Sequence, residues 1–274
     1  MKETYTIITG ALGGIGSAFA LECAQLGRNL ILIDCLPNGE EIIQFIQSRF
    51  SIKLLYLNYD LANEDARSDF FDHINQNQFL INGLINVVGR EYEGAFLDRT
   101  REEILHQTRL NMEAMVDLTY SSLNNRNPDE RFLLVNIASL AGFFPMPYKS
   151  LYAATKRFII SFSLGLREEI RDFGNVTVLC PSGLPTNAES MRKIFLQGFW
   201  GKVTSQETAD VVQRTMRKVQ RNAPIFVPGL ISKLMVWLAS PIPETWLAHF
   251  LGRRWSKRQD QLDLWRMLQN NHNH

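Results

Sequence analysis

The sequence predicts an α/β fold: a doubly wound parallel sheet with helices on both faces, followed by a C-terminal helical extension. Three observations predict it. Short apolar, β-branched runs alternate with longer helical segments from residue 5 to about residue 180. A glycine cluster, Gly10, Gly13, Gly14 and Gly16, separates the first apolar run from the first helix. The last part of the chain also differs in composition. Residues 191–274 carry 13 Lys/Arg, 5 Asp/Glu and all five Trp, whereas residues 1–190 carry 16 Lys/Arg against 23 Asp/Glu.

Taken in order, Tyr5-Thr-Ile-Ile-Thr9 reads as a buried strand and Ile15 to Gln25 as a helix. Glycine lets the turn between them approach a ligand closely. The unpaired N–H groups and dipole at a helix start favour an anion. Gly10, Gly13, Gly14, Ile15 and Gly16 are therefore the candidates for cradling a dinucleotide pyrophosphate. The second strand, Asn29-Leu-Ile-Leu-Ile-Asp34, ends in a carboxylate. An acid at this place binds the adenosine ribose hydroxyls and repels a 2′-phosphate. No Lys or Arg occurs from Cys35 through Ser48, so NAD(H) is expected over NADP(H).

Further along, 40–50 reads as a helix, Lys53–Leu57 as strand three and 64–75 as a helix. Leu84–Val88 is strand four, 101–123 a long helix and Phe132–Ala138 strand five. The run 151–173 is a helix, and Val176–Cys180 is strand six. Repeated strand–helix units of this kind make parallel sheets covered on both faces. Asn124 to Glu130 reads as a solvated loop.

Tyr152 and Lys156 lie four apart on one predicted helix, so their side chains share a face. A cation ~4 Å away is worth roughly 4 kcal/mol at an effective dielectric of ~20. That is enough to bring a phenol from its usual value of about 10 down to about 7. Tyr152 is thus a candidate acid/base, Lys156 its tuning cation, and Ser139, at the end of strand five, a holder of the reacting oxygen.

With Thr9-Gly10-Ala-Leu-Gly13-Gly14-Ile15-Gly16 upstream, Tyr152-Ala-Ala-Thr-Lys156 and Ser139 resemble the short-chain dehydrogenase/reductase family over about residues 4–190. The resemblance implies a Rossmann-type domain that transfers hydride to or from a nicotinamide. Asn111 matches the family's mid-helix Asn, which supports a water linking the catalytic Lys to solvent, and completes a set with Ser139, Tyr152 and Lys156. Lys156 also matches the residue that binds the nicotinamide ribose. Asp60 and Leu61 match the adenine-side positions. Asn86 and Gly89 match the strand-four motif, in which Val87 replaces an Asn. Pro181, Gly183 and Thr186 match the nicotinamide loop, in which Ser182 replaces a Gly. A homodimer or homotetramer packed through the helices of Asn111 and Tyr152 is implied as well.

The domain is expected over 1–228, with a lid at about 187–203 and a basic, amphipathic extension over 229–274. Phe143-Phe-Pro-Met-Pro-Tyr148 and the apolar lid point to a small hydrophobic alcohol or ketone as substrate. Thr204-Ser-Gln-Glu207 fits a capping box before a helix to about Arg221, and Ile225–Val227 reads as strand seven. Beyond it, two apolar helical stretches too short to span a bilayer precede the basic cluster Arg253 to Arg258. Residues 229–258 are open to three readings: peripheral membrane contact, pocket cover or subunit contact.

A net charge of +1 argues against nucleic-acid binding. Cys23, Cys35 and Cys180 show no metal spacing, so no metal is expected. Met1 leads straight into the first strand without a signal peptide, which places the protein in the cytoplasm or peripherally at a membrane surface. The function read from these features is reversible secondary-alcohol oxidation with NAD(H). The alternatives are an NADPH-linked ketone or acyl-thioester reductase and a non-catalytic dinucleotide sensor.

Overall fold

The computed structural model describes residues 3–184 and 207–256. Seven parallel strands form one sheet in the order β3-β2-β1-β4-β5-β6-β7. They are β1 (Thr4–Thr9), β2 (Asn29–Asp34), β3 (Leu54–Asn58), β4 (Leu80–Asn86), β5 (Phe132–Ile137), β6 (Gly174–Leu179) and β7 (Ile225–Phe226). The chain winds outward from β1 to β3, then returns to place β4 against the free side of β1. Its carboxyl edge therefore opens a crevice between β1 and β4, where ligands of such sheets bind.

Strand alternation builds both faces. Ile8, Leu30 and Leu32 pack on one side with Phe19 of α1 (Gly14–Gln25) and Ile46 of α2 (Glu40–Gln47). Ile7, Ile31 and Ile33 pack on the other with Phe70 and Ile74 of α3 (Glu64–Gln76). All six of these strand residues are sealed from solvent, each contributing roughly 1.5–3 kcal/mol by burial.

The helix expected over 101–123 is divided. It runs as α4 (Arg101–Thr108), a π-helical turn (Arg109–Glu113) and α5 (Ala114–Asn124). A π turn adds a residue to the helical repeat and redirects the side chains around it. Asn111 sits inside it. Arg67 of α3 braces this turn, donating to Glu113 at 2.5 Å, to Asp117 at 2.7 Å and to the Leu61 carbonyl at 2.9 Å.

Helix α6 (Ser150–Glu169) carries Tyr152 and Lys156 and starts and stops earlier than the expected 151–173. Strands β3 and β4 fall within a few residues of their expected positions. Helix α7 (Thr208–Gln220) is described from Glu207, which occupies its N-cap position. The expected capping box places Glu207 in the third helical position, so a helix that begins at Thr208 does not use it. Thr204 to Gln206 lie outside the described residues, as do Thr186, the lid and the chain beyond 256. After β7 come α8 (Leu230–Ala239) and, past Pro241-Ile-Pro243, helix α9 over 244–256.

Candidate active site

The glycine turn closes on itself as Gly13 N–H donates to the Gly10 carbonyl at 3.1 Å. Gly10 is left-handed, with φ at +63°. A methyl group on Gly16 would fall 2.0 Å from the Gly10 carbonyl oxygen, so no side chain fits there. Gly13 caps α1 without a side-chain hydrogen bond, and the first turn carries no acid. The helix start thus keeps backbone donors for an anion, and the cradle fits a diphosphate. Asp34 lies beside this turn. Its Oδ2 accepts from Leu12 N–H at 2.9 Å and its Oδ1 from Leu36 N–H at 3.2 Å.

The turn leads directly to the catalytic candidates. A methyl on Gly10 would lie 3.3 Å from the Val88 backbone. One on Gly89 would lie 3.3 Å from both Asn111 Oδ1 and Lys156 Nζ. Lys156, only 4% exposed, donates from Nζ to the Ile137 carbonyl at 2.9 Å, and Nζ stands 5.6 Å from the Tyr152 ring centre. The Ser139 side chain accepts from Ala141 N–H at 3.2 Å and lies near enough to the Tyr152 phenol to act on its ionisation. Tyr152, Ser139 and Lys156 therefore come together at the carboxyl edge of β5.

Their electrostatics differ from the expectation of a lowered phenol. Burial pushes the Tyr152 hydroxyl up, the Glu91 carboxylate adds to the rise, and only the Ser139 side chain opposes it. Burial also lowers Lys156 to about 8, against the pull of Glu91 and Cys180. Desolvation is the largest cause at both groups, and the attraction between Lys156 and the phenol expected from their spacing is not among the causes of either shift. At neutral pH the phenol holds its proton.

Asn111 is 1% exposed, and its amide is engaged on three sides. Oδ1 accepts from Arg90 N–H at 2.7 Å. Nδ2 donates to the Arg90 carbonyl at 2.9 Å and to Thr155 Oγ1 at 3.1 Å. This clamp fixes the loop that delivers Glu91 next to the pair. Glu91 in turn pairs with Lys149, which also meets Glu93 at 3.1 Å and faces the Trp255 ring at 5.1 Å. Glu91 and Lys149 escaped the sequence reading because they lie 58 residues apart and belong to no short motif.

The remaining candidates are spread along the same edge. Asp60 accepts from Ala62 N–H at 3.0 Å in its own turn, and Leu61 is buried against α3. The Asn86 side chain points into the core, donating to Asn136 at 2.9 Å and Thr119 at 3.2 Å, so only its backbone lies at the strand end. Pro181 receives Leu140 N–H at 2.8 Å, and Gly183 follows it. The Phe144–Pro147 segment lines a groove of about 440 Å³ with Ala153, Arg157 and Glu244. This groove opens on the side of α6 turned away from Tyr152.

A model of the family described as short chain dehydrogenase matches residues 4–194. The rat 17-beta-hydroxysteroid dehydrogenase type 3 is 32% identical over 191 residues, covering 66% of this chain and 60% of that protein. A very-long-chain 3-oxoacyl-CoA reductase of Laccaria bicolor is 27% identical, covering 65% of this chain and 53% of that protein. The chain thus spans between about half and three-fifths of the length of these curated relatives. Among solved structures, a 7beta-hydroxysteroid dehydrogenase superposes with a TM-score of 0.80 at 17% identity, covering 91% of this chain and 96% of that one. The bulky-bulky ketone specific alcohol dehydrogenase of Comamonas testosteroni gives 0.72 at 21% identity, covering 96% and 95%.

Proposed function

We propose a function from one premise, that the chain belongs to the short-chain dehydrogenase family: it interconverts a secondary alcohol and a ketone on a hydrophobic substrate, with NAD(H) as redox partner. The observation that carries this reading is the junction of the glycine turn with Lys156, Tyr152 and Ser139 through Val88 and Gly89. A nicotinamide dinucleotide, when bound, supplies or takes up the hydride. Gly10, Gly13 and Gly16 would hold its diphosphate, and Asp34 its adenosine ribose.

The chain's own residues handle the proton. In ketone reduction, Tyr152 donates its phenolic proton to the carbonyl oxygen, which Ser139 holds by a hydrogen bond. Lys156 in its cationic form stabilises the phenolate left behind, and Asn111 keeps the loop that sets the field of Glu91. Alcohol oxidation runs the same path backwards. Support for a bulky apolar substrate comes from the names of the relatives, which describe hydroxysteroids and very-long-chain acyl thioesters. A homo-oligomer packed through α5 and α6 belongs to the same proposal, supported by the exposed Tyr120 on α5.

A second reading, reduction of a 3-oxoacyl thioester with NADPH, is favoured by the reductases among the relatives and by a structural neighbour in complex with NADPH. Rates with NADH and NADPH on the same ketone separate the two. Tyr152→Phe tests the chemistry itself. Turnover is expected to fall roughly 100- to 10,000-fold with dinucleotide affinity unchanged. Near-normal turnover in that variant would refute the acid role.

A further inference from the structure

Helices α8 and α9 each turn a set of apolar residues outward. On α8, Leu230 is 83% exposed, Trp237 70%, and Leu234 and Leu238 more than half. These positions share one helix face, while Ser232 on the opposite side is buried. On α9, Trp246 is 72% and Phe250 65% exposed, one turn apart. Leu247, Leu251 and Trp255 lie on the less exposed side. That inner side is fastened. Trp255 faces Lys149, Gly252 lies against Pro147, and Glu244 pairs with Arg157 at 3.4 Å. The outward face is therefore held outward by contacts behind it.

The charge around this face has one sign. Lys233, Arg253 and Arg254 are exposed on the same two helices. The only carboxylate between residues 229 and 256 is Glu244, the one that pairs with Arg157. A second copy laid face to face would bring like charges together. A surface of anionic headgroups over an acyl layer would take both the cations and the aromatic and aliphatic side chains. Among the described residues no helix is long and apolar enough to cross a membrane, so contact along the interface is the geometry that fits.

We propose that the outward face of α8 and α9 docks the protein peripherally onto an anionic lipid surface. Trp237, Trp246 and Phe250 enter the interfacial layer, and Lys233, Arg253 and Arg254 meet the headgroups. This inference is independent of the catalytic reading, because its readout is binding rather than turnover.

The test is flotation of the full chain with vesicles of phosphatidylcholine alone and of phosphatidylcholine mixed with phosphatidylglycerol, at low and high salt. The expected result is flotation with the mixed vesicles at low salt and roughly tenfold or weaker binding to phosphatidylcholine alone. Trp237→Ser with Trp246→Ser and Phe250→Ser should abolish flotation. Arg253→Gln with Arg254→Gln should weaken it roughly tenfold or more, with thermal melting unchanged in both variants. Failure of the wild type to float at low salt overturns the proposal, as does flotation of the triple variant at the wild-type level. An oligomer that forms without lipid and falls apart in the triple variant would also overturn it, by assigning the face to a second copy.

Discussion

The centre around Tyr152 and the helices after β7 invert the ordinary sorting of side chains in opposite directions. The centre buries Lys156, Asn111 and Lys149, residue types that normally stay in water. The helices leave Leu230, Trp237, Trp246 and Phe250 in solvent, types that normally leave it. The first inversion is satisfied from within. Lys156 has the Ile137 carbonyl, Asn111 has Arg90 and Thr155, and Lys149 has two carboxylates. The second has no counterpart among the described residues, so its explanation lies outside them. Buried polar groups with hydrogen-bond partners of their own make a rigid, preorganised centre. Exposed apolar groups held on a fixed scaffold make an adhesive one.

After Tyr152→Phe, the largest effect should come from removing the buried cation. Lys156→Met is expected to cut turnover roughly 100-fold or more, measured by nicotinamide absorbance. In the wild type the lowered Lys156 is cationic below about pH 8 and neutral above it, so ketone reduction should fall as pH rises through about 8. The variant should lack that limb. Because folding lowers the group from 10.5 to about 8, the folded state binds fewer protons than the unfolded one between those values. This group's contribution to stability therefore rises with pH across that window, and a pH series of melts on both proteins would show the difference.

Next in size is Gly16→Ala, whose methyl would collide with the Gly10 carbonyl. The turn must open, at a stability cost of about 1–3 kcal/mol and with dinucleotide affinity down roughly tenfold or more. Fluorescence titration and thermal melting check both. Asp34→Ser keeps an oxygen that can accept from Leu12 N–H but removes the charge facing a 2′-phosphate. It should raise use of NADP(H) relative to NAD(H) roughly tenfold in steady-state rates. The smallest effect is expected from Glu91→Gln. Losing the anion that holds Lys156 up should move the pH limb below that of the wild type, with turnover at low pH little changed.

Much of the first inversion was legible in the chain. The strands announced themselves because Ile7, Ile8 and Leu30 to Ile33 are apolar on both faces, as a covered parallel sheet demands. Tyr152 and Lys156 are legible because four residues is about one helical turn, and Gly16 because it closes a glycine cluster between a strand and a helix. The contact with the Gly10 carbonyl that excludes any side chain there is visible only in the fold. The direction of the phenol's shift was not legible, since it depends on how deeply α6 is packed and on Glu91. The π turn at Asn111 left no periodic signal, because one extra residue barely shifts an apolar stripe. For α8, the run Leu230-Ile-Ser-Lys-Leu-Met-Val-Trp-Leu-Ala239 is apolar on nearly every side. Periodicity could mark it as a helix but could not say which face would be left in water.

The central claim is that this chain turns over a ketone rather than merely binding a dinucleotide. It is tested most directly by mixing the purified protein with NADH and a panel of bulky hydrophobic ketones while following nicotinamide absorbance and alcohol product together. The account predicts loss of NADH matched by alcohol formed, and neither with Tyr152→Phe. Binding of the dinucleotide with no oxidation of NADH or NADPH by any ketone in the panel would contradict it and leave a nucleotide-sensing protein in its place.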